Sequence, residues 1–166
     1  DFNFTRDFNF AANGTCTLTA PYGVAVIPGT EHVAVIHSQA AGRVNIFDFN
    51  GNCIGSTAMS DTPTGVAVHS SGKILVTYSG NHSILAHDPA TGAANPVTPI
   101  YVSATRIPTP RAIATDAYGN IYVGSDALDQ VIKLHWDGVS PTATYQGVIV
   151  RTSIFNQNIT SITVVP

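Results

Sequence analysis

The chain has 166 residues, enough for one domain with a buried core, and it is 44% hydrophobic but only 10% charged, against a globular norm of about 25% charged. Net charge is −3, and two lysines (Lys73, Lys133) with five scattered arginines form no basic stripe to neutralise phosphates, which argues against a nucleic-acid ligand. No apolar run approaches the roughly 18 residues of a membrane span, and no charged-then-apolar leader precedes Asp1, so a mature chain is expected.

Residues 1–10 read DFNFTRDFNF, a tandem Asp-Phe-Asn-Phe pair. Alternation places Phe2, Phe4, Phe8 and Phe10 on one face of an extended strand, an apolar face that can dock. Asp7-Phe8-Asn9-Phe10, the Asn13-Gly14 turn and Cys16 resemble Phe47-Asp48-Phe49, Asn50-Gly51 and Cys53 further on. The N-terminus therefore reads as the last two strands of a unit whose beginning is absent.

Three whole units follow. Pro21-Tyr22-Gly23-Val24-Ala25-Val26 passes through Pro28-Gly29 into Val33-Ala34-Val35 and then Val44-Asn45-Ile46-Phe47-Asp48. Pro63-Thr64-Gly65-Val66-Ala67-Val68 passes through Ser71-Gly72 into Ile74-Leu75-Val76, then Ser83-Ile84-Leu85 and His87-Asp88. Pro110-Arg111-Ala112-Ile113-Ala114 passes through Tyr118-Gly119-Asn120 into Ile121-Tyr122-Val123, then Val131-Ile132-Lys133-Leu134 and Trp136-Asp137-Gly138. Each is a set of short strands bounded by Gly, Asn or Asp, the residues that supply positive φ or Asx geometry to tight turns. At the C-terminus, Ile159 to Pro166 overlays Pro21 to Pro28 and carries Ile162 and Val164 in strand alternation.

Starts at Pro21, Pro63 and Pro110 set a period in the forties with about four short strands per unit, which is the pattern of β-propeller blades rather than of helical solenoids. The expected fold is all-β, a single domain over residues 1–166. Its four-stranded antiparallel blades cover about 21–59, 63–105 and 110–152, with terminal strands 1–19 and 159–166 completing a shared fourth blade. Two resolutions of that blade are open for a whole propeller, and a third reading makes the chain a piece of a larger one. The termini can close the ring within one chain, hiding the edges, or join one chain to the next by strand addition into a head-to-tail filament. In the second, Phe2, Phe4, Phe8, Phe10, Ile162 and Val164 form the assembly strands.

The run Pro-x-Gly-Val-Ala-Val, then Gly-x-Ile-x-Val, then a polar turn and Asp-x-x-Gly resembles the NHL repeat, best in Pro110 to Gly138 with Asp116, Gly119 to Val123 and Asp137-Gly138 in order. The resemblance spans roughly Pro21 to Gly138 and implies a propeller. It also implies either a protein- or RNA-binding platform or, in related six-bladed families, a calcium-dependent lactonase, a strictosidine-synthase-like enzyme or a lyase, and the repeat does not choose among them.

The residues themselves argue against an enzyme. Six histidines form no HxH or HExxH pair, the two cysteines form no CxxC, and Glu31 is the sole glutamate. No Gly-x-Ser-x-Gly elbow or phosphate-cradling loop is present, so no catalytic residue, metal ligand or cofactor is assigned. His69 and Asp116 end the first strands of two blades, where they either face the central channel or sit in solvent-facing turns. Asp48, Asp88 and Asp137 recur at one place in each blade, the mark of a structural turn.

Four Asn-x-Ser/Thr acceptors, Asn3, Asn13, Asn81 and Asn158, point to an N-glycosylated, secreted protein. Cys16 and Cys53 are compatible with a disulfide, yet equivalent outer-strand positions on neighbouring blades are expected to exceed the reach of about 7 Å between Cα atoms. A pair free and buried, a bridge made by irregular terminal geometry, or a bridge between chains all stand open. The functional expectation is an extracellular structural or interaction module, binding itself or other proteins.

Overall fold

The computed structural model describes residues 16–18, 20–37, 42–93, 98–151 and 159–164. They form three four-stranded antiparallel sheets, each a meander of sequence neighbours. The first sheet holds β1 (Pro21–Ile27), β2 (His32–His37), β3 (Arg43–Asp48) and β4 (Cys53–Ala58). The second holds β5 (Pro63–Val68), β6 (Ile74–Tyr78), β7 (Ser83–His87) and β8 (Tyr101–Val102). The third holds β9 (Pro110–Thr115), β10 (Asn120–Ser125), β11 (Gln130–His135) and β12 (Thr144–Arg151), with a 3-10 turn at Asp126–Leu128. These are blades of a β-propeller.

Blades stack through their faces. Ile27, Ala34, Ile36, Val44 and Ile46 of the first meet Ile74, Val76 and Tyr78 of the second. Leu75, Ile84 and Ala86 of the second meet Ile113, Ile121, Val123, Ile132 and Leu134 of the third, with Trp136 beside them. One strand thus feeds both cores by alternation: Ile74 and Val76 point one way, Leu75 the other. That is why β6 is buried at all five positions and why so little charge is tolerated in these strands.

Each inner strand begins with proline, which is suited to a strand's first residue because it donates no ladder hydrogen bond. In β1 and β5 the residue after it is bulged out of register, Tyr22 and Thr64. The inner strands then come close enough to require glycine. A Cβ on Gly65 would lie 2.1 Å from the Arg111 carbonyl oxygen, and one on Gly23 would lie 3.1 Å from Val66 Cγ1. Hydroxyls bridge the same seam: Thr64 Oγ1 donates to the Pro110 carbonyl at 2.5 Å and Thr115 Oγ1 to the Val68 carbonyl at 2.6 Å.

The first blade's other face, with Val33, Val35 and Phe47, is covered by Cys16 and Leu18. Cys16 is bonded to Cys53 with Cα atoms 5.7 Å apart. The expectation that these positions lie too far apart is therefore corrected. Residues 16–18 lie directly on the sheet, with Asn45 Nδ2 donating to the Thr17 carbonyl at 2.9 Å, which brings the Cys16 Cα within bridging range of β4. On the third blade, Ile159 packs against β10, where a Cβ on Gly124 would lie 2.6 Å from Ile159 Cγ2. Residues 159–164, including Ile162 and Val164, carry no ladder pairing among the described residues. The expected strands at Phe2, Phe4, Phe8 and Phe10 lie outside the described residues.

Candidate functional site

A cavity of about 290 Å³ is lined by residues 22–24 of β1, 64–66 of β5, 111–113 of β9 and 160–162. The three residues that follow the prolines, Tyr22, Thr64 and Arg111, stand together at one end. Arg111 reaches across the channel, with Nη1 donating to the Tyr22 hydroxyl at 3.2 Å, while its Nε pairs with the Asp126 carboxylate. The guanidinium so ties the first blade to the third, and its charge is already offset by a carboxylate that is itself mostly buried. Sequence reading passed over Arg111. The available signal was that the residue after the repeat's proline differs in every unit, as a site-forming position on a repeated scaffold does.

At the opposite end of the same strands, Pro28, Val68, His69, Thr115 and Asp116 border a recess of about 370 Å³. His69 and Asp116 are thus neighbours of one hollow, but they are engaged separately. His69 is only 3% exposed, which corrects its reading as a solvent-facing turn residue. The Ser71 amide donates to His69 Nδ1 at 3.1 Å, which places the proton on Nε2, and the ring lies 5.1 Å from that of Trp136. Burial follows from packing the imidazole beneath the third blade's Trp136.

Asp116 has its carboxylate filled by its own turn. It accepts from the Tyr118 and Asn120 amides at 2.8 and 3.0 Å, from Asn120 Nδ2 at 2.7 Å and from the Tyr122 hydroxyl at 3.0 Å. Partial burial pushes its pKa up, but these donors outweigh that and hold it at about 2. Asp48, Asp88 and Asp137 cap their turns in the same manner, accepting from Asn50, Ala90 and Val139 amides.

A calcium-dependent enzyme of the kind the repeat implies needs channel carboxylates. The described lining contains Arg111 and no carboxylate, so these residues do not fit such an ion. No group of three or more His, Cys, Asp or Glu side chains converges among the described residues. Asp126 is taken up as the ion-pair partner of Arg111.

Asn81 is exposed in the β6–β7 turn. Asp61, from the connection between the first two blades, fixes that turn by accepting the Gly80 and Asn81 amides at 3.2 and 2.8 Å. Asn3, Asn13 and Asn158 lie outside the described residues. No helix among the described residues is long and apolar enough to cross a membrane.

No family model matches the chain, and no curated protein matches it. Among solved structures, a chain from the crystal structure of a nidogen/laminin complex is similar in fold, with a TM-score of 0.58 at 19% identity. The similarity covers 78% of this chain and 48% of that one, so this chain spans about half the length of the solved chain. At this identity the likeness carries the propeller architecture.

Proposed function

We propose that this chain is a non-enzymatic, extracellular, N-glycosylated interaction module built on NHL-like repeats, whose own terminal segments complete a small ring. One observation carries the reading. Residues 160–162 line the channel together with the inner strands of three blades, while residues 16–18 cover the first blade's open face. Each terminal stretch thus lies against a blade face that a fourth blade would cover. The disulfide and the exposed Asn81 acceptor fit an oxidising, glycosylating compartment. Arg111 and Tyr22 cross-tie the channel rather than leave it lined for catalysis, and the similar solved structure is that of a protein complex. The scaffold is then a rigid display surface for a protein partner.

Light scattering over a concentration series, with electron microscopy of the same material, tests the ring. A compact monomer at all concentrations is expected. Filaments would overturn ring closure and assign Phe2, Phe4, Phe8, Phe10, Ile162 and Val164 to head-to-tail strand addition instead. Calcium titration by calorimetry is expected to be silent, and tight stoichiometric binding would sink the non-enzymatic reading in favour of the lactonase-like one.

A further inference from the structure

The geometry points to an intramolecular seat for the first sugar of an Asn81 glycan, in a recess between the first two blades. This rests on the glycoprotein reading and names what one glycan does. The recess holds about 380 Å³, inside the range of about 300–1,000 Å³ typical of small-ligand sites. Asn81 is itself part of its lining, beside Met59, Leu85, Pro99 and Val102 as apolar wall and Ser60 and Ser83 as hydroxyl donors.

Two observations at this place fit such an occupant. Val102 is 58% exposed although it sits on a blade strand paired with Ser83, and it would be covered by a ring seated here. Ser83 Oγ is buried and has no hydrogen-bond partner, an arrangement that is costly unless a polar group arrives. An N-acetylglucosamine supplies both complements, with C–H faces for Met59, Pro99 and Val102 and hydroxyl and amide groups for Ser60 and Ser83. Ser83 is also the hydroxyl residue of the Asn81 acceptor triplet, so modification of the growing chain precedes its burial.

The anchor is rigid. Asp61 holds the Gly80 and Asn81 amides, and a Cβ on Gly80 would lie 2.4 Å from Asp61 Oδ1, so glycine is needed for the carboxylate to reach. The turn that carries Asn81 is thereby pinned at the recess edge. An attached sugar loses little further freedom on seating, the advantage of a preorganised ligand.

The test uses the full chain from a host that adds high-mannose glycans, with Asn3→Gln, Asn13→Gln and Asn158→Gln so that Asn81 alone is occupied. Three forms are melted: fully glycosylated, trimmed by an endoglycosidase to one N-acetylglucosamine, and Asn81→Gln. The trimmed form is expected to keep the melting temperature of the full glycoform, and Asn81→Gln to fall by about 2–4 °C. Val102→Ser is expected to shrink that gap. Trimmed and sugar-free proteins melting alike would overturn the seat while leaving the glycoprotein reading intact. An intact mass showing no sugar at Asn81 would overturn the seat, and no sugar on the unsubstituted chain would remove the glycoprotein reading as well.

Discussion

Cys16 and Cys53 are bonded across 37 positions of sequence, tying the segment that precedes the first blade to that blade's outermost strand. Val35 and Phe47 are buried beneath the cover that Cys16 and Leu18 provide. Reduction therefore releases a chain constraint and loosens the cover of a core face together. Closing a loop of this length is worth about 2–4 kcal/mol through the unfolded state. Urea unfolding with and without reductant is expected to differ by that amount, and Cys53→Ser is expected to reproduce the reduced curve. Equal midpoints would mean that residues 16–18 add nothing to the fold.

His87 gives the molecule an acid sensitivity with a definite sign. Its Nδ1 donates to the Gly92 carbonyl at 2.8 Å and its Nε2 accepts from the Tyr78 hydroxyl at 3.0 Å. Burial pushes its pKa down to about 4, against a smaller opposing pull from the Gly92 bond. The unfolded chain binds the proton at the ordinary value near 6.5, so below that pH it holds more protons than the folded chain. Stability is then complete above about pH 6.5 and declines until about pH 4, by up to about 3 kcal/mol. His87→Gln keeps a donor and an acceptor and is expected to flatten the decline in denaturant midpoints. His37, also held low by burial and by Arg43, leaves a residual slope of the same sign.

The period of the prolines and the Gly/Asn turns made the blades legible, because those residues report backbone geometry that every unit repeats. Three of the strands open at those prolines: β1 at Pro21, β5 at Pro63 and β9 at Pro110. Contacts between units were not legible. His69 lies three residues from the turn glycine Gly72 and reads as a turn residue, yet Trp136 of another blade buries it. Arg111 meets Tyr22 across 89 positions, and periodicity within one unit carries no information about such a pair. The Cys16–Cys53 bridge stayed one of several open alternatives for the same reason, since spacing along equivalent strands says nothing of a segment lying flat on a sheet.

Gly65 marks where the propeller's inner strands crowd. A Cβ there would meet a backbone carbonyl oxygen at 2.1 Å, which no rotamer change relieves. Gly65→Ala is expected to cost about 1–3 kcal/mol by forcing β5 and β9 apart. Gly29, at φ +75° with open space around its Cβ position, provides the contrast: Gly29→Ala is expected to cost about 1 kcal/mol through backbone conformation alone. Thermal melts of both variants distinguish inter-blade crowding from turn strain, and a smaller loss for Gly65→Ala would place the seam elsewhere.

Gly124 separates ring closure by the chain's own terminus from closure by another molecule. Its φ lies outside the left-handed region, so alanine is tolerated by the backbone itself, but the added Cβ would lie 2.6 Å from Ile159 Cγ2. Gly124→Ala is therefore expected to lift residues 159–164 from the third blade while leaving the three sheets in place. Limited proteolysis should clip that segment first and faster than in the unsubstituted chain, while hydrogen exchange in β10 and β11 stays slow. Ile159→Ala in the same chain removes the clashing methyl groups and is expected to restore part of the protection. Unchanged cleavage within 159–164 in Gly124→Ala would mean that the segment is not held by its own third blade, and the head-to-tail arrangement would then be favoured.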